Sequence, residues 1–287
     1  MKKIKESRAA SFVAVGIIYA LATAVGIICY KAMPFEFWLS LLLADVIATV
    51  FTFIFSLIFK NASVYDPYWS VQPPVIVLAF AIGKNLTPAR VLLILAILFW
   101  AIRLTANWAY TFHGLNHQDW RYTMLHEKCG RWYPVINFIG IHTVPTLIVW
   151  AATLPAVFAF VYDTEKIGVL GILGFLLSLF AATLQLISDI QMHKYRRTRV
   201  TPFIRTGLWH NSRHPNYLGE ILMWWGVGIL AVSVMPERWY LLAGALANTL
   251  LFLFVSIPMA DGRQSGKEGF AEYKRETRML LPIPKLK

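Results

Sequence analysis

SFVAVGIIYALATAVGIICYK, residues 11–31, decides the fold class, because it runs for 20 residues without a charge before reaching Lys31. A helix needs about 20 apolar residues to cross the hydrocarbon core of a bilayer. Within lipid the backbone must satisfy its own hydrogen bonds, which a helix does. Seven further stretches repeat the pattern, at residues 36–59, 68–84, 89–111, 134–161, 166–192, 217–234 and 238–259. Of these, 68–84 is the shortest and is interrupted by Pro73-Pro74. Of the 287 residues 57% are hydrophobic and 15% charged, and the mean hydropathy is +0.56, more apolar surface than a soluble fold can hide. The expected fold is all-α, a polytopic integral membrane bundle of seven or eight transmembrane helices in one membrane domain, residues 1–287.

Charge sets the expected orientation, since Lys and Arg collect on the cytosolic side. With the N-terminus inside, 21 of the 27 basic residues fall on the cytosolic side and five on the outer side (Lys31, Lys84, Arg90, Lys166 and Arg238), leaving Arg103 within a span. Both termini are therefore expected in the cytoplasm, the membrane being a bacterial inner membrane. The net charge of +12 is explained by attraction to an anionic inner leaflet. No Lys/Arg-rich soluble domain or nucleic-acid module is visible, so no nucleic-acid partner is expected. Cys29 and Cys129 fall at opposite faces of the membrane in this topology, and no metal-ligand spacing is present. Met1-Lys-Lys-Ile-Lys resembles the start of a signal peptide, but the apolar stretch after it is long and lacks a small-residue cleavage site, so it reads as the first helix.

Ionisable side chains among apolar segments are costly and point to function unless they are paired. Asp45, Asp66, Arg103 and Asp189 stand out in this way. Asp45, alone in an apolar helix, reads as structural. Arg103 shares a helix face with Trp100, Asn107 and Tyr110, which points to a polar interior. Gln185, Ser188, Asp189, His193 and Arg196 recur at spacings of three and four, a stripe fit for sugar hydroxyls at one end and phosphate at the other, or for a basic helix C-terminus. Further on, Arg213-His-Pro-Asn216-Tyr217-Leu-Gly-Glu220 opens another apolar span and puts Asn216, Glu220 and Trp224 on one face. A buried Glu beside an Asn demands partners or a ligand. The tail from Asp261 through Arg263, Tyr273 and Lys274 to Pro282 is basic and aromatic, suited to lipid headgroups, and Asn116 to Tyr122 is a further cytosolic cluster.

Taken together, Ser188-Asp189, Thr206-Gly-Leu-Trp209, Arg213 to Glu220 and Tyr273 to Pro282 resemble the C-terminal domain of the steroid 5α-reductase superfamily, over residues 180–287. The similarity is to its bacterial branch of unknown substrate, which also shows an early Asp-x-x-Trp-Ser, here Asp66-Pro-Tyr68-Trp69-Ser70, and an Asp-x-Arg-Tyr, here Asp119-Trp-Arg121-Tyr122. The resemblance implies NADPH-dependent reduction of an activated C=C bond in a lipid, steroid-like or isoprenoid substrate, inside a helical bundle. It implies cofactor contacts from Gln185, Asp189, Arg196, Asn216 and Tyr273, with Arg263 near a His of that family, and from Arg213, Tyr217, Glu220 and Lys274 by proximity. The chain has no Rossmann Gly-rich turn, so Arg and Lys must supply the phosphate contacts.

Steroid reductases pair a Glu on one helix with a Tyr on another to polarise the enone carbonyl. No counterpart of either is found by alignment, the Tyr position falling close to Arg103, and Asp66, Tyr68 and Arg103 are the expected catalytic substitutes. A competing resemblance links Arg213-His-Pro-x-Tyr217 to membrane methyltransferases of the isoprenylcysteine carboxyl type, which use S-adenosylmethionine. Those enzymes carry a Glu-Glu pair ahead of their tail, where this chain reads Pro258-Met-Ala-Asp261-Gly-Arg263. Sequence leaves the oligomeric state open.

Overall fold

A computed structural model describes residues 2–285; Lys287, counted above among the basic residues, lies outside them. Helices make up the architecture, and no strand longer than a single bridge occurs among the described residues. The main helices are α1 (Arg8–Ala32), α2 (Phe37–Phe59), α3 (Tyr68–Ala81), α4 (Pro88–Thr111), α5 (Trp120–Val161), α6 (Val169–Thr198), α7 (Pro215–Ser233), α8 (Pro236–Gln264) and α9 (Phe270–Glu276). Each apolar stretch read from sequence coincides with one of α1 to α8, and the protein is an all-α polytopic membrane bundle.

Among the described residues six helices, all of α1 to α8 except α3 and α7, are long and apolar enough to cross a membrane. Helix α3 has only 14 residues and spans about 21 Å at 1.5 Å per residue, short of a 30 Å hydrocarbon core. Pro73 and Pro74 sit in its second turn, where each removes an i→i−4 hydrogen bond. Helix α7 has 19 residues, starts on Pro215 and carries Asn216 and Glu220, so its own composition is less apolar. Most of its side chains, Leu218 to Ala231, are buried in protein.

The residues cluster into two compact units, 1–79 with 104–154, and 80–103 with 155–287. The first is built on α1, α2, α3 and most of α5. Its core gathers Val15, Ile18, Tyr19, Ala48, Val64, Tyr65 and Tyr68. Asn61 caps the Ala62–Val64 turn through Ser63 N–H and donates to the Leu115 and His117 carbonyls, which ties the α2–α3 connection to the segment before α5. Within α5 the backbone relaxes into a π turn at Asn137–Thr143.

In the second unit α6 and α7 pack along their length through small residues. A Cβ added to Gly226 would stand 2.3 Å from Ser178 Oγ and 2.7 Å from the Gly174 carbonyl oxygen. Small residues at such a seam let backbones approach where apolar side chains gain nothing over lipid. The tail returns to this unit. Phe203, Phe270 and Tyr273 form a small core, and Ser212 and Arg278 pair as a parallel bridge. Residues 180–285 all lie in this second unit.

Candidate functional site

The second unit holds a buried polar network. Arg103, near the middle of α4 and 8% exposed, donates to Gln185 Oε1 and Asp189 Oδ2 of α6. Gln185 in turn donates to Glu220 Oε2 of α7 at 2.7 Å. Glu220 also accepts from the indole N–H groups of Trp100 at 2.9 Å and Trp224 at 3.0 Å. A guanidinium and two carboxylates are thus held among apolar helices by a chain of partners. Charge in so dry a place is tolerated only when it is paired and hydrogen-bonded. Arg103 Nε stays buried without a partner.

Beside the tail lies a second cluster. Asp261 of α8 accepts from Arg213 at 3.2 and 3.3 Å and lies 2.9 Å from His214 Nε2 and 3.4 Å from Lys274 Nζ. Arg213 Nη1 also reaches the carbonyls of Lys274 and Thr277 at 3.3 and 3.1 Å. The guanidinium therefore clamps α8, α9 and the start of α7 together. Tyr273 donates to the Trp209 carbonyl, with the Ser212 carbonyl at 3.1 Å, and burial pushes its hydroxyl pKa up to about 12. Tyr217 stacks on His214 at 5.2 Å and meets Phe252 at 5.0 Å. Asn216 differs from these, because its Oδ1 is buried with no partner. Arg196, Arg263 and Lys274 are exposed.

The first unit carries the other expected residues. The Tyr68 hydroxyl lies 2.7 Å from Asp45 Oδ1, and Gln72 donates to Asp45 Oδ2. Asp66 accepts from Tyr122 at 2.6 Å. Burial, and then the like charge of Asp119, raise the Asp66 carboxyl to about 6. A separate hydroxyl chain starts at Tyr65, whose oxygen is 2.7 Å from Thr146 Oγ1, itself 2.8 Å from Thr49 Oγ1.

Of the expected cofactor residues, Gln185, Asp189 and Glu220 are joined in one network, with Arg103 as its cation, while Arg213, Tyr273 and Lys274 meet around Asp261 and the tail. Arg103 belongs to the second unit, Asp66 and Tyr68 to the first, and within the first Asp66 and Tyr68 hold different partners. Asp45 reads as structural in the sequence, and nothing there pairs His214 with Asp261. Asp45, Thr49, Thr52 and Ser56 recur on α2 at spacings of four, three and four, all buried. That helical period was the available signal.

An uncharacterised protein of Schizosaccharomyces pombe (strain 972) is 29% identical over 224 residues, 68% of this chain and 64% of that one. The chain thus covers less than two thirds of that relative's length. No solved structure matches. Residues 52–277 match the family described as "Protein of unknown function (DUF1295)"; the stretch takes in Tyr68, Arg103 and the whole polar network, while Asp45 precedes it. Since the match covers well over half of its residues, the chain belongs to the DUF1295 family.

Proposed function

We propose that this protein is a membrane-embedded, NADPH-dependent reductase of an activated C=C bond in a lipophilic lipid, steroid-like or isoprenoid enone. The observation that carries the reading is the Tyr68 hydroxyl set on the Asp45 carboxylate of the preceding helix, 2.7 Å away. That is a phenol and carboxylate on two helices, the kind of pair by which a steroid-reductase-like enzyme polarises a carbonyl. In a site screened from water such a donor acts at full strength on developing negative charge at the carbonyl oxygen.

NADPH, when bound, supplies the hydride. The second unit offers groups that fit it. Asn216 Oδ1, buried and unpartnered, suits an N–H donor such as a carboxamide. The exposed cations Arg196, Arg263 and Lys274 suit phosphates. Gln185, Asp189 and Glu220 hold Arg103 and the Trp100 and Trp224 indoles in place, so their role in this reading is to stiffen α4, α6 and α7 beside Asn216. Arg213 and Tyr273 fix the tail on which Lys274 is carried. In the first unit Asp45 accepts the one Tyr68 O–H, which in this reading turns to the substrate carbonyl oxygen when the enone binds.

The membrane is proposed to be a bacterial inner membrane with both termini in the cytoplasm, on the 21 to five division of basic residues. Phosphatase activity from a C-terminal alkaline phosphatase fusion would reverse that orientation. The cofactor is tested by thermal unfolding of detergent-purified protein, because a ligand stabilises in proportion to the logarithm of its concentration over its dissociation constant. NADPH should raise the midpoint more than NADH, and S-adenosylmethionine should leave it unmoved. Stabilisation by S-adenosylmethionine alone would replace the reductase with a methyltransferase.

A further inference from the structure

Within the first unit, His142 is fully buried in the π turn of α5. Turns of this kind recur at functional sites, where the widened backbone re-aims a side chain. Nδ1 lies 3.0 Å from the Asn137 carbonyl oxygen. A carbonyl can only accept, so Nδ1 bears the proton, and Nε2 of the neutral ring is a lone pair. That Nε2 is buried without a partner. The ring lies against Tyr65 at 4.6 Å and Phe53 at 5.2 Å. Ser56, three residues beyond Phe53 on α2, is also buried with an unpartnered hydroxyl.

An acceptor left dry among apolar helices is costly, and the cost is relieved by a ligand that brings its own donor. Aromatic neighbours such as these suit a flat apolar body. We propose that His142 Nε2, between Phe53 and Tyr65, is a recognition site for the hydroxyl of a flat apolar alcohol or phenol. Tyr65 is stacked on Tyr68 at 5.1 Å and lies tilted against His142 at 4.6 Å, so the Tyr68 phenol and the His142 acceptor are neighbours of one ring. The substrate class narrows to hydroxylated enones; the enone end rests on the reductase reading, whereas the hydroxyl end stands on His142 alone.

The test uses the full chain in detergent with two probes that differ by one hydrogen-bond donor, 4-nonylphenol and its methyl ether 4-nonylanisole. The parent should bind the phenol about tenfold or more tighter, the worth of one buried hydrogen bond. His142→Phe should abolish the preference by weakening the phenol alone, and His142→Gln, which keeps an acceptor, should restore part of it. Equal binding of both probes by the parent, as expected if a buried water satisfies Nε2, overturns the proposal, and so does a preference that survives in His142→Phe. Should the variants not fold, nitrogen NMR of histidine-labelled parent decides: the Nε2 signal must move with the phenol and stay with the ether, and a signal indifferent to both sinks the idea. NADPH stabilisation of the same parent is measured separately, so failure of the reductase reading leaves a distinct record.

Discussion

Tyr68 and Asp45 hold each other across α2 and α3, the phenol oxygen 2.7 Å from Oδ1, with Gln72 on the other carboxylate oxygen. Removing the phenol oxygen leaves ring packing against Tyr19 and Tyr65 intact. Tyr68→Phe should therefore fold, keep the parent's NADPH affinity, and lose about a hundredfold in enone-dependent NADPH oxidation, the scale of one missing oxyanion donor. Unchanged turnover on an enone that the parent reduces would remove Tyr68 from the chemistry.

Asn216 and Glu220 stand one turn apart on α7 and should respond differently. Asn216→Ala deletes an acceptor that no protein group uses, so stability should hold while NADPH affinity falls by about 1 to 3 kcal/mol. Glu220→Gln instead presents an amide N–H₂ to a site already filled by the N–H donors of Trp100, Trp224 and Gln185. Its melting temperature should drop whether or not cofactor is present. Titration calorimetry and thermal unfolding separate the two effects; a folded Asn216→Ala protein that binds NADPH as the parent does would end the assignment at this helix.

Helix pairing in the second unit depends on Gly226. A side chain there meets Ser178 Oγ and the Gly174 backbone, which cannot move aside without parting α6 and α7. Gly226→Val should destabilise strongly, by a few kcal/mol or about the cost of an overpacked core. Gly16→Ala, with nothing within 4 Å of the added methyl, should be neutral. Comparable melting temperatures for the two variants would contradict the close approach.

Stability should depend on pH through Asp66. Its folded pKa of about 6 exceeds the ordinary 3.8, because burial and Asp119 disfavour the carboxylate. The folded protein binds this proton more tightly than the unfolded one, so the contribution is present in full below 3.8 and is lost as pH rises through about 6. Asp66→Asn, which keeps an acceptor for Tyr122, should flatten that dependence in the window from about 4 to 6. Identical melting curves for parent and variant across the window would show that Asp66 does not titrate there.

Residues 11–31 and their seven successors determined the fold class, because a predominantly apolar run of some 20 residues has one low-energy form in lipid and that form is local. Sequence also picked Tyr68, Asn216 and the Gln185–Asp189 stripe, since polar groups in apolar helices stand out by cost alone. It did not identify partners. Asp45 looked solitary because Tyr68 and Gln72, which satisfy it, lie 23 and 27 residues away on another helix. Glu220 called for partners or a ligand, and the partners are Trp100, 120 residues away, and Gln185, 35 away, while its neighbour Asn216 keeps a bare acceptor. Arg213 is expected beside the cofactor by proximity alone, and its partners, Asp261 and two tail carbonyls, lie on segments that sequence does not bring together. The cost of burying a polar group is set by its own chemistry and can be read one residue at a time; what meets that cost is a neighbour in space, and only the tertiary structure chooses it.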